Sequence, residues 1–244
     1  MWVPNWLGKA FGKLYIEFEL GTFKIKDAKA VLGYNVVKTR QILAGLHARR
    51  FITVFKRKRP RIYRNLDPKN VLFLASGSVS SNTILKVKQE EYLNLLLSVF
   101  SVIHRKIGPE CLALYGSIAR GTSQETSDLD LLLVSRNMRG SLGSRVLSLM
   151  ELIGPEIQEE QEYLFDNSLY CDLNILPLSP DELASRRLFL LDLVDHALVL
   201  WDPEQILSKE FAFIRFKLLE MGAQKVELED GSWCWDLPSK NGVI

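Results

Sequence analysis

Cysteine is scarce and unpatterned in this sequence. Cys111, Cys171 and Cys234 are odd in number, far apart and without any Cys-x-x-Cys spacing, which argues against a disulfide framework and a structural zinc site. Histidine is equally sparse: His47, His104 and His196 stand alone, a distribution that suits surface or core positions better than metal ligands. Long apolar runs are missing too. The segment from Trp2 to Phe18 is broken by Asn5, Lys9, Lys13 and Glu17, so neither a signal peptide nor a transmembrane span is expected, and a cytoplasmic protein without membrane contact is.

The most informative scarcity is of negative charge in one half of the chain. Residues 1–88 hold 18 Lys/Arg against 4 Asp/Glu, a balance of +14, while residues 89–244 carry −12, and the two nearly cancel to the net +2 of the 244-residue chain. Opposed halves of this kind predict different partners, with an anionic polymer for the first. An apolar share of 47% and a charged share of 25% are ordinary for a folded protein. Four segments are expected: residues 1–74, a linker over 75–88 marked by the small polar run ASGSVSSNT, residues 89–202, and residues 203–244.

In the first segment Trp6, Ala10, Leu14 and Phe18 recur at helical spacing and predict one inward-facing helix. A second short helix fits Asp27 to Leu32, with Gly33 as its C-cap. Asn35 caps a third, in which Val36, Leu43 and Leu46 face inward and Lys38 and Gln41 outward. A β-rich hairpin follows. Between Arg49 and Arg64 it carries eight basic residues and no acid. Three helices and a basic hairpin resemble a winged helix-turn-helix, with the third helix as reader and the hairpin as wing. The resemblance implies DNA or RNA contacts by Lys38, Arg40, Lys56, Arg57, Lys58, Arg59, Arg61 and Arg64. The same charge run also fits a solvated face or a nuclear localisation tract.

The segment LYGSIARGTSQETSDLDLLLVS, Leu114 to Ser135, concentrates the chemistry. Short apolar runs flank Gly116 and follow Asp130, so the Gly-Ser lies at a strand end. Asp128 and Asp130, two residues apart on a strand, point to one face with Cα atoms about 6.6 Å apart. Two such anions repel unless a hard divalent cation lies between them. Gly116 allows close backbone approach to a ligand, and Ser117 with nearby N–H groups suits phosphate oxygens.

Gly116-Ser117, Arg120-Gly121 and Ser127-Asp128-Leu129-Asp130 together resemble the signature of the polymerase β superfamily of nucleotidyltransferases, in particular its minimal branch. That resemblance implies an α+β fold, a palm domain following the winged helix, two Mg²⁺ ions (or Mn²⁺), an NTP substrate and a third carboxylate on a later strand. Leu169–Leu176 supplies a candidate. Alternation puts Tyr170, Asp172 and Asn174 on one face and Cys171, Leu173 and Ile175 on the other, so Asp172 is a lone acid in an apolar strand. It fits a metal ligand, or an edge-strand acid in water or paired to Arg120. By resemblance, Asp128, Asp130 and Asp172 are the catalytic acids and metal ligands, Gly116, Ser117 and Arg120 hold the nucleotide, and a separate helical partner protein is implied.

Further elements are expected as a helix over Glu90–Ile107, a helix near Arg145–Ile153, a helix opening at Ser179-Pro180-Asp181-Glu182 and running to Leu198, and a strand in LVLWD. The tail should form a helix near Pro203–Met221 and a hairpin turning at Asp230-Gly231, which pairs Leu228 with Trp233 and Val226 with Trp235. The functional expectation is Mg²⁺-dependent transfer of a single NMP from an NTP to an acceptor hydroxyl. A DNA-binding regulator or antitoxin-like protein on a catalytically weak scaffold is the alternative.

Overall fold

The computed structural model describes residues 3–185, 187–227 and 233–236. In chain order it runs α1 (Asn5–Phe18), β1 (Thr22–Lys24), α2 (Ile25–Leu32), α3 (Val36–His47), β2 (Ile52–Lys56), β3 (Ile62–Asn65), α4 (Pro68–Ala75) and α5 (Ser81–Lys86). A 3₁₀ turn at Glu90–Tyr92 leads into α6 (Leu93–Lys106), β4 (Cys111–Leu114), α7 (Gly116–Arg120), β5 (Leu129–Val134), α8 (Leu142–Asp166) and β6 (Leu173–Leu178). The chain continues through α9 (Pro180–Ser185), α10 (Arg187–Leu193), β7 (Leu198–Trp201), α11 (Ile206–Glu220), β8 (Gln224–Glu227) and β9 (Trp233–Asp236). Among the described residues no helix is long and apolar enough to cross a membrane.

The N-terminal half packs three helices on an antiparallel sheet of order β1-β3-β2. Its punctuation follows local chemistry. The Asn35 side chain accepts from the Lys38 N–H to start α3, and Gly33, at φ 73°, closes α2 in the left-handed region open to glycine. The inward faces are offset from the sequence expectation: α1 buries Leu7, Ala10 and Leu14, while Trp6 is 52% exposed, and Val36 is exposed at the first turn of α3. Ile42 and Thr39 join Leu43 and Leu46 inside.

The catalytic half is built on a four-stranded sheet of order β6-β5-β4-β7, with β5 and β6 parallel and the other pairs antiparallel. Alternation divides its faces. Leu112, Leu114, Leu131 and Leu133 pack into the core shared with α6, α8 and the N-terminal half, whereas Cys111, Ala113, Leu132 and Val134 meet α10 and α11 on the other side. Pro177 is tolerated because β6 lies at the sheet edge.

Three expectations change. The segment 75–88 is packed rather than a loose linker: α5 lies within it, and Val79, Ile84 and Val87 are buried in the common core. Helix α8 runs well past Gly154-Pro155, because Ile153, Ile157, Glu160 and Leu164 keep one face buried on both sides of the proline. Finally, β8 and β9 pair Glu227 with Trp233, Val226 with Cys234 and Lys225 with Trp235, one residue out of the register that a two-residue turn would give. Leu228 and the turn at Asp230-Gly231 lie outside the described residues. The Ser179 capping box forms as expected, with Ser179 N–H donating to Glu182 Oε2 at 2.8 Å and Glu182 N–H donating to Ser179 Oγ at 3.2 Å.

Candidate active site

The first turn after β4 brings the Gly-Ser motif onto the start of β5. Tyr115 N–H donates to the Asp130 carbonyl at 3.0 Å. Gly116 then takes φ 72° and lies so close to the Asp130 side chain that a Cβ there would sit 2.0 Å from Oδ2. Only glycine permits both the conformation and the approach. Gly121, at φ 79°, ends α7, and Thr122 N–H donates back to the Ser117 carbonyl at 2.9 Å.

Asp130 lies on the face of β5 that continues toward Leu132 and Val134, ahead of the apolar cluster there, and Asp128 precedes the strand by one residue. Asp128 is exposed and Asp130 half-buried. Burial first, and then the Asp128 charge, push the Asp130 carboxyl above its ordinary value, against a hydrogen bond from Asn174 and the charge of Arg120. Asn174 Nδ2 donates to Asp130 Oδ1 at 2.8 Å, which leaves Oδ2 turned toward Gly116. Sequence reasoning had placed Asn174 on the face of Asp172 without giving it a role; its signal was that shared alternation.

Asp172 immediately precedes β6 and is exposed, so it is not the buried lone acid that an apolar strand implied. Its carbonyl accepts from Leu129 N–H at 2.8 Å, and Asp130 pairs with Asn174 in the parallel register. Asp172 therefore sits at the same sheet end as Asp128, one residue ahead of the paired run on each strand. All three acids lie close enough to Cys171 to add to the burial that pushes its thiol up to about 12.

Among the described residues no group of three or more His, Cys, Asp or Glu side chains is placed to hold a metal ion. Asp130 of β5 and Asp128, one residue before the strand, nonetheless suit Mg²⁺: they are hard oxygen donors whose like charges act on each other. Mg²⁺ commonly takes only one or two carboxylates from the protein and completes its shell with water and substrate phosphate oxygens.

The loop joining α7 to β5 is tethered to the segment before α6. Gln89 Nε2 donates to the Ser123 carbonyl and Ser123 N–H donates to Gln89 Oε1, both at 3.1 Å, while Tyr92 Oη donates to the Gln124 carbonyl at 3.3 Å. A cleft of about 710 Å³ separates this loop from the basic hairpin, with Lys56, Arg57, Lys58 and Lys88 along it and Gly121 at its end.

The basic residues divide. Lys38, Arg40, Arg57, Lys58, Arg59 and Arg61 are exposed and Lys56 is half-buried. Arg57 also reaches the Lys88 carbonyl at 2.9 Å and Glu90 at 3.3 Å. Arg64 is the correction: it is only 1% exposed and grips Glu160 of α8 through two bonds of 2.5 and 2.8 Å. Its guanidinium stacks over the Tyr163 ring at 3.6 Å, so it joins the two halves and is out of reach of a polymer outside. The sequence counted it with the wing because an arginine's neighbours on another helix leave no local trace.

The nucleotidyltransferase domain family model matches residues 102–189, from the middle of α6 to α10 and across every acid of the motif. No curated protein matches the chain. Two solved structures, a toxin–antitoxin MntA–HpeT mutant and a toxin–antitoxin with AMP-PNP, are 16% and 15% identical over 51% of this chain and 89% and 90% of theirs, each with a TM-score of 0.32, too low to establish a common fold. The family match over the strand–turn–strand motif assigns residues 102–189 as a nucleotidyltransferase domain, and that domain makes the chain a nucleotidyltransferase.

Proposed function

We propose that the chain moves one NMP from an NTP to an acceptor hydroxyl with Mg²⁺, or Mn²⁺ in its place, and that residues 1–74 are a winged-helix module that holds DNA or RNA. The observation that carries the first part is the Asp130 carboxylate seated against Gly116, where only a glycine lets it approach the backbone, with the like charge of Asp128 close enough to act on it. Asp128 and Asp130 hold metal. Metal bound there would supply Lewis-acid stabilisation of charge on the triphosphate, and Asp172, expected as a third ligand, is not grouped with the two closely enough to share it.

The remaining roles fall to the protein's own groups. Gly116 and Ser117 receive the outgoing phosphates, and Arg120, whose charge already acts on Asp130, offsets the charge that builds on them. Asp172, exposed at the same sheet end, takes the proton of the acceptor hydroxyl. The acceptor oxygen bonds to the α-phosphorus, the bond to the β-phosphate bridge breaks, and pyrophosphate leaves. Asn174 holds the Asp130 carboxylate in position through its 2.8 Å bond.

Support for the second part comes from the element order α1-β1-α2-α3-β2-β3 with its antiparallel three-stranded sheet, and from a groove of about 610 Å³ between α3 and the hairpin. Arg40, His47, Arg59 and Arg61 line it, where a helix and a wing would together meet a phosphate backbone. The test of the reaction is incubation of the full chain with α-phosphate-labelled NTPs, Mg²⁺ and cell extract. Label should appear on a discrete acceptor, with release of pyrophosphate. NTP binding without any transfer, across all four nucleotides and both metals, would favour the regulator on an inactive scaffold.

A further inference from the structure

Trp6 turns away from the core that its helical spacing suggested, and what it turns toward is a small pocket on the other side of α3 from the groove just described. The pocket holds about 210 Å³. Its floor is apolar: Ala10, Leu32 and Ile42 are each buried. Trp6 and Tyr34 stand at it with 52% and 50% of their surface in water, and Lys9, Lys13 and Lys38 complete the lining. No carboxylate lines the pocket, and none of the three lysines forms a salt bridge among the described residues. Lys38 Nζ lies 5.1 Å over the Trp6 ring.

Three like charges gathered around an apolar floor repel each other and select an anion. Two half-exposed aromatic faces beside them select a flat ring. The volume is below the range of pockets that enclose a drug-sized ligand, and so suits one ring system rather than a helix or a duplex. Stacking on aromatics combined with lysine contacts to the backbone is how unpaired nucleic acid is held without sequence readout.

We propose that this pocket binds a single nucleobase with its phosphate, the base against Trp6 and Tyr34 and the phosphate on Lys9 and Lys13. The nucleotide comes either free from solution or as one unpaired residue of a strand, and the chemistry recognised is the same. The site is distinct from the catalytic motif, and its binding can be read whether or not transfer occurs.

The test uses the full chain with two probes, a fluorescently labelled eight-nucleotide oligoadenylate and AMP. Trp6→Ala should weaken the oligonucleotide about tenfold, the range of one base–aromatic stack, and Trp6→Phe, which keeps a stacking face, should restore most of the loss. Lys9→Ala with Lys13→Ala should flatten the slope of log K against log salt by about 1.4 for the single strand. An oligonucleotide unaffected by these changes while AMP loses one of its binding sites in Trp6→Ala would support the pocket and assign it to free nucleotide. Unchanged affinity and salt slope for both probes overturn the proposal. So does a lysine effect without any effect of Trp6→Ala, because the pocket would then read charge and no base. Trp6 is half in water, so thermal melting of its variants should match the parent and rule out unfolding as the cause.

Discussion

Acidic residues do opposite work in two regions of this molecule. At the seam between the halves, Glu160 meets Arg64, and Glu90 meets Arg50 at 2.9 Å and His47 at 2.7 Å while accepting from the Val54 N–H at 2.8 Å. These carboxylates are buried and answered by cations. At the open end of the catalytic sheet, Asp128 and Asp130 sit beside each other with only Asn174 and the more distant charge of Arg120 in opposition. A carboxylate with its cation built in is cement; a pair of carboxylates without one repels itself.

The comparison breaks most visibly at Glu160. Replacing it with alanine leaves Arg64 buried and unpaired, and should cost about 3–5 kcal/mol, whereas the double change Arg64→Met with Glu160→Leu should recover most of that. Chemical denaturation of the three proteins checks it. If the single change is silent, the seam is not held by this pair.

Glu90 sharpens the contrast through pH. Burial alone would raise its carboxyl, but hydrogen bonds from His47 and the Val54 N–H, with the charge of Arg50, hold it at about 2 against an ordinary 4.5. A depressed acid stabilises the fold above its unfolded value and loses that contribution as pH falls. Between pH 4.5 and 2 about 3 kcal/mol should therefore disappear, and Glu90→Gln should melt with a flatter acid profile than the parent.

At the sheet end the signs invert. Asp128→Asn or Asp130→Asn removes repulsion, so stability should hold or rise slightly, while transfer falls at least about a hundredfold with the loss of a metal ligand. Single-turnover transfer and a melt on the same samples separate the two effects. Gly116→Val should abolish nucleotide binding, since its side chain would collide with Asp130, whereas Ser117→Ala should lose only about 1–2 kcal/mol.

The arginines offer the smallest and most discriminating test. In the full chain, Lys58→Ala, Arg59→Ala and Arg61→Ala together should flatten the salt slope of duplex binding by about 2.7, each removing one phosphate contact. The double change at Arg64 and Glu160 should leave that slope alone. A slope equally sensitive to Arg64 would place it back on the wing.

Much of the candidate site was legible in advance because its information is local. Gly116, Asp128 and Asp130 lie within 15 residues around the connection from β4 to β5, and period-two alternation alone predicts that the two acids share a face. Asp172 was singled out by the same alternation, and of the readings left open its exposure just ahead of β6 agrees with an acid in water at the sheet edge. The helices α2 and α3 were marked by Gly33 and Asn35, whose side chemistry acts within a single turn. Trp6 was misplaced since a helical stripe of spacing four drifts around the axis, and Leu7 claims the core instead.

By itself the sequence determined the chemistry on offer: the Gly-Ser and Asp-x-Asp motif and the charge division at residue 88, both properties of neighbours along the chain. Only the tertiary structure decided which charges are available. Arg64 and Glu160 are 96 residues apart in sequence and 2.5 Å apart in space, and Val79, Ile84 and Val87 tie the small polar stretch at 75–88 into the common core. Desolvation and pairing depend on what folds against a side chain from afar, and no local pattern encodes that distance.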